Sequence, residues 1–263
     1  MIYTHDISPI MLSLGPINLY WYGAMYVISF LLIENLMKKD IFCLNKNYLD
    51  TQQIDTILFT GLIFLIIGGR IGYIIFYNLD YYMINPQRVF FIWEGGMSFH
   101  GALIAVFLNL VWLSAKMQLS FLRLSDYLVV FVPIGLFLGR IGNFINAELY
   151  GIPTDGTWGV IFPNVDEQTR HPSMLYEAFL EGIVLFIILL FISKIQNYKI
   201  GFSTATFLIF YSIFRFIVEF VRVPDIQIGY IVSTWMTMGH ILSLPMFFVG
   251  VLIYLSAMRS TKL

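Results

Sequence analysis

Seven stretches of this sequence are each about twenty residues long and almost wholly apolar, and no other feature restricts its folding as much. They run over roughly 19–37, 54–77, 97–115, 125–146, 173–194, 202–221 and 235–258. A bilayer-spanning helix needs roughly 20 such residues, because its backbone must satisfy its own hydrogen bonds where there is no water. Barrel strands would be about half as long and would alternate in polarity. Composition agrees: 59% of residues are hydrophobic, 12% are charged and the mean hydropathy is +0.80, against about 45–50% apolar and about 25% charged in a soluble domain. The chain reads as an all-α integral membrane protein, a bundle of about seven transmembrane helices in a single polytopic domain over 1–263. The segment from Met83 to Trp93 is too short to span and is expected along the interface. The N-terminal "MIYTHDISPIMLSLGPINLYWYG" has no basic n-region and no small-residue cleavage site, so it does not read as a removable signal peptide. Cys43, the single cysteine, excludes an intramolecular disulfide and any multi-cysteine metal site, and reads as incidental. A net charge of −1 with no basic run gives nucleic acid nothing to bind.

Lys and Arg in the connecting loops set the orientation. Lys38, Lys39, Lys46, Lys116, Arg123, Lys194, Lys199, Arg259 and Lys262 fall on one side; Arg88, Arg170 and Arg222 fall on the other. Nine against three puts the N-terminus outside and the C-terminus in the cytoplasm. Arg70, Arg140 and Arg215 remain inside spans, each at a cost of at least about 2.5–3.5 kcal/mol near a helix centre.

On this topology the polar intramembrane residues share one depth. Arg70, Arg140 with Asn143, and Arg215 with Glu219 lie toward the outer ends of outward-running spans. Tyr22, His100, and His171 with Glu177 lie at the outer starts of inward-running ones. Chance would scatter them over both halves of the bilayer. Tyr211, Arg215 and Glu219 repeat at i, i+4, i+8, and Arg140 and Asn143 at i, i+3, so each set shares a helix face. Gly68, Gly69 and Gly72 flank Arg70; Gly135, Gly139 and Gly142 flank Arg140. These glycines serve either close helix packing or space for a bulky ligand. His240 is read as structural and away from this cluster in depth. The stretch 151–170, rich in Gly, Pro and Asp, is expected to form an outside loop or small head around 147–172.

An arginine stays charged and presents a planar fork suited to phosphate. Two or three at headgroup depth suggest a phospholipid headgroup. Alternatively each pairs with a carboxylate, Arg215 with Glu219 and Arg140 with Glu148. His100 is a candidate proton acceptor. His171 opens a helix start, "HPSMLYEA", where Pro172 suits the first turn. No His/Glu spacing fits a metal site and no serine sits in a nucleophile elbow, so a nucleophile would arrive with a substrate.

The stretch "GRIGNFINAELYG" (139–151) resembles the signature of the bacterial prolipoprotein diacylglyceryl transferases, Gly-Arg-x-Gly-Asn-Phe-x-Asn-x-Glu-x-x-Gly. The resemblance extends through "WYGAMY", "GGRIGYIIFYN", "WEGGMSFHG", "HPSMLYE" and "RFIVEFVR", from the first span to the sixth. Family members often carry His-Gly-Gly where this chain has His100-Gly101-Ala102, a small change expected to have little effect. The resemblance implies an enzyme of the bacterial cytoplasmic (inner) membrane with its site toward the periplasm. It would transfer diacylglyceryl from phosphatidylglycerol to the lipobox cysteine of a prolipoprotein signal peptide, without metal or cofactor and with no nucleic-acid partner. It carries functional roles onto Tyr22, His100, Arg140, Asn143, Glu148, Gly151, His171, Tyr211, Arg215 and Glu219. Arg140 and Arg215 would meet the phosphate and His100 would serve as the base. Tyr22, Arg70, Asn143, Glu148, Gly151, His171, Tyr211 and Glu219 would bind substrate. The residues alone leave two other classes open. A transporter or flippase would also place charges in the membrane, and so would a non-catalytic lipid-binding subunit.

Overall fold

Helices in an apolar medium must close their own ends, and this sequence supplies most closures locally. Asp50 caps one helix through a reciprocal box: its carboxylate takes the Gln53 N–H at 2.7 Å, and the Gln53 side chain takes the Asp50 N–H at 3.0 Å. Ser98 caps another by accepting the Gly101 N–H at 3.2 Å. Asp126 acts at longer range. Buried at the start of the fourth expected span, it accepts from the Gly201 N–H, the Thr204 N–H and the Thr204 hydroxyl, at 2.5, 2.8 and 2.7 Å. It thereby neutralises the positive N-terminal end of a helix that begins 76 residues later, at Phe202.

A computed structural model describes residues 2–15, 17–42, 44, 48–91, 96–195, 199–224, 229–231 and 235–259. Cys43, Lys46, Lys262 and residues 93–95 of "WEGGMSFHG" lie outside the described residues. In chain order the elements are β1 (Ile2–Thr4), β2 (Ile10–Leu14), β3 (Ile17–Tyr20), α1 (Trp21–Lys38), α2 (Thr51–Tyr77), α3 (Leu79–Ile84) and a 3₁₀ turn (Pro86–Phe90). There follow α4 (Phe99–Lys116), α5 (Phe121–Val129), α6 (Val132–Ile145), β4 (Gly159–Ile161), β5 (Thr169–Arg170), α7 (Ser173–Glu177), a π-helical segment (Ala178–Val184), α8 (Leu185–Ser193), α9 (Phe202–Glu219) and α10 (Met238–Arg259).

Helices thus occupy the place of every expected span. Among the described residues, four stretches are long and apolar enough to cross a membrane, Thr51–Ile75, Ser173–Ser193, Phe202–Glu219 and Met238–Arg259, or five if a bent pair counts as one. The fourth expected span differs from a straight helix. It is broken between α5 and α6, which meet at 44°. Pro133, in the first turn of α6, has no N–H to extend α5 through the break. Of the segment 83–93, expected at the interface, the described residues 83–91 end α3 and form the 3₁₀ turn, with Met83, Ile84 and Phe90 strongly exposed.

The chain forms two compact units, Met37–Ser125 and Met1–Leu36 with Asp126–Leu263. In the first, α2 packs on α4 where three glycines meet. A Cβ on Gly72 would stand 2.6 Å from the Gly101 Cα, and one on Gly101 would stand 2.3 Å from the Gly68 carbonyl oxygen. Packing is therefore what Gly68 and Gly72 serve.

The second unit adds short strands to what the sequence reads as an all-helical chain. β2 and β3 form an antiparallel hairpin that leads straight into α1. The head expected around 147–172 recruits the N-terminal segment: β1 pairs parallel with β4, and β4 antiparallel with β5. Ala147, Val160, Phe162 and Met174 form its core. His5 packs edge-on against Phe144, with ring centroids 5.3 Å apart.

Candidate active site

Glu177 closes the short helix α7, just before the π-helical segment, and its side chain is fully buried. A lone carboxylate there would be expensive, and three guanidinium groups converge on it. Arg215 and Arg222 both donate from Nη1 to Glu177 Oε1, the second at 2.9 Å. Arg140 reaches Oε2 through Nε at 2.8 Å. One turn on, the equally buried Glu181 lies 3.8 Å from Arg140 Nη2. Arg215 also pairs with Glu219 at 2.7 Å, the i, i+4 contact expected from the sequence. Three cations and three buried carboxylates therefore lie within one packed group drawn from α6, α7, the π-helical segment, α9 and the turn after α9. π-Helical turns are uncommon and concentrate at functional sites. Here the wide turn follows Glu177 and carries Glu181, and Gly182 lets α6 approach: a Cβ at Gly182 would meet Phe137 at 2.7 Å.

The second alternative pairing, Arg140 with Glu148, takes a different form. Arg140 Nη1 donates to Asn143 Oδ1 at 3.4 Å, and Asn143 Nδ2 donates to Glu148 Oε2 at 3.4 Å. Asn146 Nδ2 donates to Glu148 Oε1 at 3.2 Å. Glu148 reaches Arg140 through Asn143, and its own side chain stays exposed. Both 3.4 Å contacts are long for hydrogen bonds, so on this flank the guanidinium is loosely held. Arg140 and Arg215 side chains keep 17% and 15% of their surface exposed, so neither is sealed within the group. Around Arg140 the glycines divide in use. A Cβ on Gly135 or Gly139 would meet nothing within 4 Å, whereas one on Gly142 would touch the Tyr22 ring at 3.1 Å. Tyr22 is thereby fixed against the turn that carries Asn143, and its hydroxyl lies 3.0 Å from that of Tyr26. Tyr211 stacks on Phe207 one turn before Arg215 and faces the same charges.

Gly151 and His171 close the head onto these helices. The Gly151 N–H donates to the His171 carbonyl at 2.8 Å, and Gly151 bridges antiparallel to Arg222. A Cβ at Gly151 would stand 2.4 Å from the Val221 carbonyl oxygen, so only glycine lets this backbone lie against the end of α9. His171 Nδ1 lies 3.1 Å from the Tyr176 hydroxyl, and Trp158 packs on both rings. Outside the bilayer segments, the Asp166 carboxyl is held below its ordinary range, chiefly by its bond with Arg170 at 2.5 Å.

Arg70 and His100 belong to the other unit. Arg70 is buried and donates to four backbone carbonyls: Val89 at 3.0 Å, Gly96 at 3.3 Å, Arg88 at 2.7 Å and Phe91 at 3.1 Å. Its guanidinium also lies 5.2 Å from the Tyr82 ring centroid. These contacts tie the segment after α3 to α2. His100 is half-buried in the first turn of α4.

Sequence reasoning missed Glu181, Arg222 and Thr237 and placed His240 wrongly. Arg222 reads as a loop cation, yet it is buried against Glu177. His240, read as remote from the cluster, sits one residue from Gly239, where a Cβ would stand 2.4 Å from the Glu219 carboxyl carbon. The available signal was the pair Glu177 and Glu181 at i, i+4 in an apolar span, since buried carboxylates need cations.

Comparison with known proteins identifies the family. The family model described as prolipoprotein diacylglyceryl transferase matches residues 9–256. A relative from Pasteurella multocida is 47% identical over 254 residues, covering 96% of this chain and 93% of its own length. One from Methylococcus capsulatus is 43% identical over 251 residues, 95% of each chain. One from Pseudomonas aeruginosa is 43% identical over 258 residues, 97% of this chain and 95% of its own. All three are named phosphatidylglycerol–prolipoprotein diacylglyceryl transferase. A match of this length, with the "GRIGNFINAELYG" residues gathered around buried arginines, establishes that the chain belongs to the prolipoprotein diacylglyceryl transferase family.

Proposed function

We propose that this protein transfers the diacylglyceryl group of phosphatidylglycerol to the lipobox cysteine thiol of a prolipoprotein. A carbon–sulfur bond forms at the glycerol carbon and the carbon–oxygen bond to phosphate breaks. Glycerol phosphate leaves with the electron pair, and the thiol proton passes to a base. The observation that carries this reading is the arginine group on Glu177. It holds guanidinium forks in apolar helices, partly open, where charge builds on a leaving phosphate. Fixed donors aimed at developing charge are usually the largest catalytic contribution. Arg140 and Arg215 are assigned to the phosphate. Asn143, Glu148, Tyr22, Tyr211, Glu219, Gly151 and His171 are assigned to holding the lipid headgroup and preprotein or to orienting these arginines. A free thiol has a pKa of about 8.5 and is only a few per cent thiolate at pH 7, so a base or a positive field is needed. His100 is assigned as that base and Arg70 as a substrate contact on their sequence blocks alone.

The reading includes seven spans in one polytopic domain with a head around 147–172, the N-terminus periplasmic and the C-terminus cytoplasmic. It places the protein in the bacterial inner membrane with the site toward the periplasm, supported by the nine-to-three division of loop cations. Purified protein given phosphatidylglycerol and a lipobox peptide should add one diacylglyceryl mass to the peptide thiol. An unmodified peptide, with both substrates bound, would refute the activity.

A further inference from the structure

Glu219 is the last residue of α9, yet Thr237, the partner of its second oxygen, stands just before α10. Glu219 Oε1 accepts the Thr237 hydroxyl proton at 2.7 Å, while Oε2 holds Arg215 at 2.7 Å. Gly239 leaves room for the carboxylate, since a Cβ there would stand 2.4–2.6 Å from its three atoms. His240 is fully buried. Its Nδ1 takes the Thr237 backbone N–H at 3.2 Å and lies 3.1 Å from the Thr237 hydroxyl oxygen.

These contacts fix the proton positions. The Thr237 hydroxyl has one proton, and the carboxylate is its shorter and stronger acceptor. Nδ1 already receives the backbone N–H, so it is the lone-pair nitrogen and Nε2 carries the hydrogen. Nε2 makes no hydrogen bond among the described residues. Its ring instead meets Phe216 and Phe220 at 4.7 Å each and Trp235 at 5.5 Å. With Nδ1 turned to the backbone at i−3, the imidazole does the work of the third residue in a capping box at the start of α10. The Thr237 hydroxyl is thereby released from capping its own helix and turned onto Glu219.

We propose that Thr237 and His240 are positioning residues for the transfer reaction: they form a brace on α10 that holds Glu219, and through it Arg215, in the orientation that meets the phosphate. This rests on the function proposed above. Neither residue touches the substrate, and both act through one carboxylate.

The test uses the full chain in detergent or nanodiscs. Thr237→Val should lower kcat by about ten-fold to a hundred-fold, the range for losing one hydrogen bond to a charged group. It should leave KM for the peptide unchanged, while Thr237→Ser stays near wild type. His240→Gln, which offers the amide oxygen that Gln53 offers in the box of the second helix, should retain activity; His240→Leu, which keeps the bulk and loses the acceptor, should not. In a Glu219→Gln background Thr237→Val should add little further loss. Calorimetry with glycerol phosphate gives a readout independent of turnover. Its affinity should fall several-fold in Thr237→Val. Equal affinity of wild type and Thr237→Val, full additivity with Glu219→Gln, or full activity of His240→Leu would each overturn the brace. A wild type that binds glycerol phosphate but modifies no peptide refutes the function and leaves the affinity comparison to decide the brace.

Discussion

The tetrapeptide Gly-Arg-Ile-Gly occurs twice, at 69–72 and at 139–142, and the two copies are put to opposite uses. In the first, the glycines face α4 at contact distance and Arg70 gives its donors to backbone carbonyls. In the second, Gly139 faces unfilled space, and Arg140 meets the buried carboxylates Glu177 and Glu181 with part of its fork uncovered. Carbonyl dipoles can satisfy an arginine for good, because they never leave. A carboxylate balances its charge and gives it an orientation, while the uncovered flank keeps it available to another anion. The same four residues thus set one arginine among backbone carbonyls and the other among carboxylates.

The sharpest way to break that contrast is to remove each guanidinium. Arg140→Ala and Arg215→Ala should each lower thioether formation at least about 10²–10³-fold while the protein still inserts. Near-normal transfer by either would end the phosphate assignment. Arg70→Ala should instead lower the thermal midpoint in detergent, because four carbonyls lose their donor at about 1–3 kcal/mol each where they stay buried. An Arg70→Ala protein that is inactive but as stable as wild type would support the substrate contact proposed for Arg70 and erase the contrast.

The glycines offer a smaller test. Gly72→Ala drives a methyl to 2.6 Å from the Gly101 Cα and should cost about 1–3 kcal/mol of stability. Gly139→Ala meets nothing within 4 Å and should be stable to within about 0.5 kcal/mol. If it nonetheless raises KM for phosphatidylglycerol, the space beside Arg140 belongs to the lipid. Equal stability losses from the two substitutions would show that both copies pack alike.

The weakest effect is expected in the head. Because Arg170 depresses the Asp166 carboxyl, the stability it contributes is present above the unfolded value of about 3.9 and is lost as pH falls through the lower folded value. Wild type and Asp166→Asn should therefore differ slightly in thermal midpoint at neutral pH and converge below about pH 3. A difference that persists in acid would assign the effect to something other than this pair.

The sequence makes legible whatever is encoded within one element. The apolar runs announce their helices, and Arg215 with Glu219 announces itself by i, i+4 spacing. The signature stretch announces Arg140, Asn143 and Glu148. What stays hidden is pairing between elements. Glu177 meets Arg215 and Arg222 across intervals of 38 and 45 residues, and no periodicity carries that information. Arg222 hides because a cation just past a helix end looks solvated. Pro133 signals a break but gives no angle, and β1, at three residues, is too short to read as a strand.

That strand has a consequence for how the protein is made. β1 needs β4 as its partner, and the two are separated by about 155 residues of chain. At about 5–20 residues per second of synthesis, the N-terminal segment waits roughly ten to thirty seconds before its pairing edge exists. During that interval its hydrophobic residues Ile2 and Tyr3 have no sheet to join, and several apolar helices must be handed to the bilayer first. The sheet therefore closes late in biogenesis, only after the signature stretch has been made. The end of α9, at Glu219, comes later in the chain than β5, so Gly151 and His171 meet it only after all three strands have been made.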